Sequence, residues 1–215
     1  MQQNEVEENC KTTLHGWRHS AVWTYGVMLF FSAVALVTSL ILSAETLALA
    51  RAPKKLLSCD FNSVVSCSRV AQTWQAEMVK FGELSFPNAF FGIAAESVFV
   101  TLAVIGMIHV RVPRWFAICT WLGGLCALAY AYWLFSQSMF VIHALCPWCI
   151  MLMFSTTVQF MALTHASVSS QKLLVKRFSL VESYYRLRYD LLIDALWVAA
   201  LLTLILCQYS KVFFG

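Results

Sequence analysis

Cys146-Pro147-Trp148-Cys149 sets two thiols three positions apart, where a polar stretch gives way to an apolar one. That spacing holds both sulfurs within one helical turn. At a helix start, unpaired backbone N–H groups and the macrodipole favour an anion. A thiol there loses its proton more readily and becomes a thiolate nucleophile. Pro147 suits such a start, because its missing N–H costs nothing in the first turn. A second pair, Cys59 and Cys67, lies upstream with seven residues between its members. Disulfides move by thiolate attack through mixed disulfides. A dithiol at a membrane edge reaches a lipid-soluble electron acceptor, and a dithiol on a mobile loop reaches a protein, so two pairs in relay join the two. For a two-electron couple about 30 mV is worth roughly 1.4 kcal/mol, so small potential steps give direction. The same four sulfurs also suit a tetrathiolate zinc site, although the seven-residue gap is wider than the usual two to four. A third reading makes the cysteines small residues that happen to lie close together.

The elements that must position these thiols are set by a bilayer. The chain is 60% hydrophobic and 12% charged, with a mean hydropathy of +0.70. Soluble domains sit near roughly 45–50% apolar. A net charge of +4 is too small to argue for nucleic acid. In hydrocarbon, apolar runs become helices, because each backbone polar group must be satisfied within its own segment. Five runs reach spanning length: 22–44, 86–108, 115–136, 146–165 and 191–209. No internal repeat or Pro/Gly/Ser-rich linker divides the chain. Ala48-x-Ala50 imitates a signal-peptidase site, but the run before it is too long for a signal h-region, so a retained helix is expected. With a cytoplasmic N-terminus, nine Lys and Arg fall inside and six outside. Five of the nine lie in segment 166–190. Positive charge prefers the inside. This orientation puts loop 45–85 and both cysteine pairs on the exterior, where disulfides persist. Cys10 then lies in the cytoplasmic tail, and Cys119, Cys126 and Cys207 lie within spans as small hydrophobes.

Other residues have milder readings. Glu96 sits about ten residues into the second span, roughly 15 Å deep at about 1.5 Å per residue. An intramembrane carboxyl is costly. It serves either a proton relay or a hydrogen bond to a neighbouring helix, and the second is favoured. His143, three residues before Cys146, is placed to steady a thiolate or shuttle protons, and an interfacial residue without a role fits as well. Asp194 is expected to pair with Arg188 or water. Tyr130, Tyr132 and Trp133 fit an interfacial aromatic belt. Residues 69–81 place Val70, Trp74 and Phe81 near one helical face, which suggests a short surface helix serving as a lid.

"CDFNSVVSCSRVAQTW" (Cys59 to Trp74), "FPNAFFG" (Phe86 to Gly92) and "CPWC" resemble the vitamin K epoxide reductase (VKOR) family in order and local spacing over about residues 20–165. CPWC followed by a fifth span resembles its bacterial branch, which oxidises exported proteins with a quinone. The resemblance implies an all-α integral membrane protein in which a four-helix bundle surrounds a quinone under an outer loop, with a fifth transmembrane helix beside it. It implies that Cys149 faces the quinone, Cys146 exchanges with Cys67, and Cys59 meets the partner's thiols. Thr73 takes the family's Ser/Thr position, Asn88 its quinone-contacting Asn, and Phe91 an aromatic position near the pocket. Met153 stands where animal members carry the Tyr that contacts vitamin K, which counts against epoxide reduction. The chain stops at Gly215, about six residues past the last span, so the thioredoxin-fold (DsbA-like) partner is expected to be a separate protein.

Together these readings describe a tail over residues 1–21, a VKOR-like bundle over 22–165, a basic segment over 166–190 and a fifth span over 191–215. The expected activity is quinone-dependent protein-disulfide oxidation in a bacterial cytoplasmic membrane, with menaquinone or ubiquinone as acceptor and the site on the extracytoplasmic face. The alternatives are a vitamin K epoxide or quinone reductase and a non-enzymatic tetrathiolate metal module. Cys59, Cys67, Cys146 and Cys149 are the expected catalytic residues. Asn88, Phe91 and Cys149 are expected at the quinone, and Thr73, His143 and Glu96 in auxiliary places.

Overall fold

The computed structural model describes residues 20–52, 57–62, 64–77, 79–81, 84–110, 112–169 and 189–214. The N-terminal tail with Cys10, and residues 170–188 of the basic segment, lie outside the described residues. The elements in chain order are α1 (Ala21–Arg51), α2 (Cys67–Ala71), β1 (Val79–Phe81), β2 (Leu84–Phe86), α3 (Asn88–Met107), α4 (Arg114–Ser136), α5 (Pro147–Ser169) and α6 (Tyr189–Phe214). Helices α1, α3, α4, α5 and α6 are long and apolar enough to cross a membrane. Helix α1 runs seven residues beyond the expected end at 44, so the loop begins later than its first charge suggests. Helix α4 continues into a wider π-helical turn, Gln137–Ile142, which ends at His143 in a left-handed conformation with φ 55°.

Segment 69–81 is not the single surface helix its apolar spacing suggests. It is split into the end of α2, a 3₁₀ turn over Trp74–Ala76, and strand β1. Strand β1 pairs antiparallel with β2, Val79 opposite Phe86. The break follows from local competition for the backbone. The Gln72 N–H donates to Ser68 O, and both the N–H and the hydroxyl of Thr73 donate to Val70 O. These bonds close the helix.

Helix α1 packs along both α3 and α5, and α4 packs against α5. Close approach rests on small residues, as expected where lipid supplies no hydrophobic drive between helices. A Cβ on Gly106 would lie 2.4 Å from the Tyr25 ring, and one on Gly92 would lie 2.6 Å from Ser39 Oγ. An apolar cluster around Met28, Phe99, Ala103, Leu163 and Ala166 fills the half of the bundle away from the cysteines. Helix α6 lies on the outside with most of its side chains exposed. Polar clasps among the described residues attach it. His165 Nε2 and Asp194 Oδ2 are 2.7 Å apart. Trp197 Nε1 donates to the Tyr132 hydroxyl at 2.7 Å, which in turn bonds Thr157 at 3.0 Å. Asp194 pairs with His165, because α5 and α6 bring the two to one level; Arg188, its expected partner, lies outside the described residues. Tyr130, Tyr132 and Trp133 also do more than form a belt. Tyr130 stacks on Trp133, and Trp133 meets Trp74 edge-on at 6.2 Å.

Candidate redox site

The loop after α1 is organised around Asp60. Its carboxylate accepts the Leu57 N–H at 2.8 Å, the Ser66 hydroxyl at 2.7 Å and the Ser68 N–H at 3.0 Å, together with the Ser68 hydroxyl. Partial burial opposes the charge, but the bonds from Ser68, Ser66 and Leu57 outweigh it and hold the Asp60 carboxyl at about 2. Asn62 Oδ1 accepts the N–H groups of Val64 and Val65 at 2.9 and 2.7 Å, which turns the chain back. Val65 then pairs with Leu145 in a parallel bridge. The Leu145 N–H donates to Val64 O at 2.7 Å, and the Ser66 N–H donates to Leu145 O at 3.0 Å. The residues that follow the two sides of this bridge are Cys67 and Cys146.

Cys59 and Cys67 form a disulfide. Cys146 and Cys149 are free thiols. Cys146 Sγ lies 3.1 Å from Cys67 Sγ, closer than an ordinary contact between two sulfurs. Cys146 also occupies the cap of α5, and its sulfur accepts the Cys149 N–H at 3.4 Å. A capping atom faces the positive end of the helix, so this sulfur is favoured as a thiolate. With two of the four sulfurs bonded to each other, no tetrathiolate forms in this state. Cys59, expected to meet the partner's thiols, is covered in this arrangement. It is only 3% exposed, against 2% for Cys67, because Leu49 and Leu57 close over the pair.

Beside the sulfurs lies a cavity of about 260 Å³ bounded by all four bundle helices. Its lining is mostly apolar and includes Cys67, Cys146, Cys149, Asn88, Phe91 and Glu96. The 3₁₀ turn forms part of its wall through Gln75 and Ala76. Asn88 Nδ2 donates to the Gln75 carbonyl, and Gln75 Nε2 reaches Gln137 Oε1 on the π turn at 3.4 Å. The lid is thereby tied to both α3 and α4. Glu96 is buried and bonded to Gln159 of α5. Glu96 Oε2 and Gln75 Oε1 are buried without a partner among the described residues.

Thr73 and His143 are not brought to the cavity wall. Thr73 closes α2, and His143 is exposed at the turn into α5. Met153 is buried at the wall. Several wall residues carry no site signal in the sequence, among them Glu45, which falls in the expected loop, Gln75, in the expected surface helix, and Tyr130, in the aromatic belt. Glu45 sits on the last turns of α1, with Oε2 3.3 Å from Cys59 Sγ and Oε1 accepting the Ser58 hydroxyl. A carboxylate followed by more apolar residues, Leu47 and Leu49, was the available sign that the helix continues.

A search of curated proteins found no match. The model of the vitamin K epoxide reductase family matches residues 26–164, which take in the four-helix bundle, the loop disulfide and the Cys146/Cys149 pair. The chain is a member of the vitamin K epoxide reductase family, a multi-pass membrane oxidoreductase.

Proposed function

We propose that the protein takes electrons from a thioredoxin-fold dithiol through Cys59/Cys67 and Cys146/Cys149 and delivers them to a quinone, so driving disulfide formation in exported proteins. The observation that carries this reading is the 3.1 Å approach of Cys146 Sγ to Cys67 Sγ, with Cys149 opening onto the cavity. Reduction of the loop pair leaves Cys67 beside Cys146. Attack by Cys67 on a Cys146–Cys149 disulfide gives a Cys67–Cys146 mixed disulfide and frees Cys149. Attack by Cys59 on Cys67 then restores the loop disulfide and leaves Cys146 and Cys149 reduced. The described arrangement corresponds to the end of that exchange.

The residues present fit a quinone. The wall is mostly apolar with a few polar groups, as small-molecule sites are. Asn88 and Tyr130 stand at the wall as hydrogen-bonding groups, and Phe91 offers an aromatic face. The buried oxygens of Glu96 and Gln75 leave polar capacity there without a protein partner. A bound quinone supplies a two-electron, two-proton acceptor. Glu96 is a carboxyl at the wall from which a proton can be passed. The charge bias of the flanking segments supports an extracytoplasmic placement of the cysteines in a bacterial cytoplasmic membrane.

The test is thiol-dependent quinone reduction by purified protein with a reduced thioredoxin-fold donor. Cys149→Ser can still form the Cys67–Cys146 mixed disulfide but leaves only Cys59 to resolve it, so turnover should stop, and Cys146→Ser should lose exchange between loop and core. Near wild-type rates in both variants would overturn the relay. Turnover of vitamin K epoxide, or stoichiometric zinc in the purified protein, would favour the alternatives.

A further inference from the structure

Among the described residues Glu45 is the carboxylate that shares a cluster with both sulfurs of the loop disulfide, and no part of the relay above uses it. Its Oε2 lies 3.3 Å from Cys59 Sγ, and its carboxylate, Cys59 Sγ and Cys67 Sγ all lie within 4.8 Å of one another. Its other oxygen accepts the Ser58 hydroxyl. In the disulfide state Cys59 has no proton to share, so the contact serves the thiol form. The three remaining sulfurs nearby do not compete for this position. Cys67 is the atom Cys59 attacks, Cys146 is its leaving group, and Cys149 lies beyond them on α5.

We infer that Glu45 is the general base of the closing step, taking the proton from Cys59 as it attacks Cys67. The step balances. The Cys59 S–H bond breaks and its proton moves to Glu45 Oε2. The Cys59–Cys67 bond forms and the Cys67–Cys146 bond breaks. The electron pair leaves on Cys146 as a thiolate, held by the Cys149 N–H at the start of α5. Cys59 is oxidised and Cys146 reduced. The need for a base follows from burial. Cys59 is 3% exposed, so bulk water cannot readily take its proton, and a thiol rather than a thiolate is a poor nucleophile. In the reverse direction the protonated Glu45 returns the proton to Cys59 as it leaves. Glu45 also borders the cavity, so the proton released at the disulfide emerges on the side where protons are consumed. This assignment rests on the relay proposed above.

The experiment isolates the closing step and uses no quinone. Full-length Cys149→Ser protein carrying the Cys67–Cys146 mixed disulfide is held at acid pH, where exchange is frozen. It is then jumped to pH 7 and quenched at intervals. Alkylation and mass spectrometry follow the appearance of the Cys59–Cys67 disulfide. General-base catalysis typically contributes about 10²–10⁴-fold. Glu45→Gln in this background should therefore slow closure by about a hundredfold. Its rate should rise roughly tenfold per pH unit, as for attack by a thiolate formed without a base. Glu45→Asp should recover part of the rate at pH 7. Ser58→Ala removes the Ser58 bond and leaves the Cys59 contact, and should close at close to the parent rate. A Glu45→Gln rate within threefold of the parent, or a Ser58→Ala defect equal to that of Glu45→Gln, overturns the assignment. If the relay itself is wrong, the parent protein forms no Cys67–Cys146 bond, an outcome distinct from slow closure.

Discussion

Asp60→Asn should open the cysteine loop without altering its cysteines. The aspartate accepts four hydrogen bonds, two on each oxygen. Asparagine keeps one acceptor oxygen and sets an NH₂ where the other stood. The Ser68 hydroxyl can rotate to suit the change, but the Leu57 N–H cannot. If the NH₂ replaces Oδ2, the N–H of buried Leu57 loses its acceptor; if the amide flips, the Ser68 N–H does. An unsatisfied buried donor costs about 1–3 kcal/mol, and each surviving bond drops from charge-assisted to neutral, a further loss of about 1 kcal/mol. Allowing for partial solvent exposure of the carboxylate, a net loss of about 2–4 kcal/mol is expected in loop stability. At roughly 1.4 kcal/mol per tenfold, the open population rises about thirtyfold to several hundredfold. Because Cys59 and Cys67 are buried, reduction by external dithiothreitol requires that opening, and with fast reclosing its rate follows the open population. Alkylation-quenched reduction of purified protein gives the number directly. A change of less than threefold would refute the account of the loop. The sign with pH is fixed as well. The folded carboxyl, at about 2, lies below its ordinary 3.8, so its contribution is complete above 3.8 and fades as pH falls through about 2. Amide exchange at Leu57 and Ser68, corrected for intrinsic rates, should rise over that window in the wild type and stay flat in Asp60→Asn.

Asn88→Ala removes a polar group of the cavity wall and the tie to Gln75. A fall of about tenfold to a hundredfold in quinone-dependent rate is expected, equivalent to about 1.5–3 kcal/mol, with exchange at Cys59–Cys67 intact; unchanged quinone kinetics would contradict it. Gly106→Ala sets a methyl 2.4 Å from the ring of buried Tyr25, so overpacking of about 1–3 kcal/mol should lower the thermal midpoint, and Tyr25→Leu should restore part of it. An unchanged midpoint would mean that α1 and α3 pack more loosely than described. His165→Leu combined with Trp197→Phe removes both clasps on α6. Each such bond is worth only about 0.6 kcal/mol on average, so the double variant should loosen α6 to proteolysis while the bundle keeps its thiol exchange; loss of exchange would show that α6 supports the site.

Much of the architecture follows from signals that act over one segment. The spans are long apolar runs, and Pro147 and Pro87 mark helix starts that the structure keeps. The paired cysteines stood out because Cys-x-x-C spacing means something within a single turn. What escaped the sequence depends on contacts between segments. Glu45 reads as the first residue of the loop, because a carboxylate after an apolar run marks the water boundary; its partners, Ser58 and Cys59, lie 13 and 14 residues on. Asp60 carries no motif, since its donors belong to Leu57, Ser66 and Ser68. His165 and Asp194 meet across two helices, 29 positions apart. The helix expected over 69–81 failed for a local reason, as Thr73 closed it with its hydroxyl. The π turn at Gln137–Ile142 left no mark in the hydropathy.

The bridge between Val65 and Leu145 makes the two ends of the loop disulfide unequal. Two backbone hydrogen bonds clamp the chain directly before Cys67 to the chain directly before Cys146, and these bonds do not depend on the oxidation state of any sulfur. Cys59 has no such bridge; its neighbour Asp60 bonds only within the loop, to Leu57, Ser66 and Ser68. Under the proposed relay, cutting the disulfide would leave Cys67 docked beside Cys146 while Cys59 is held by those loop bonds alone. Exchange between loop and core would then be a meeting of two tethered groups rather than a search, and well-oriented intramolecular reactions reach effective concentrations of about 10⁵–10⁸ M. A protein partner would instead reach buried Cys59 only after the Asp60 bonds give way, so loop opening rather than inward transfer would set the pace.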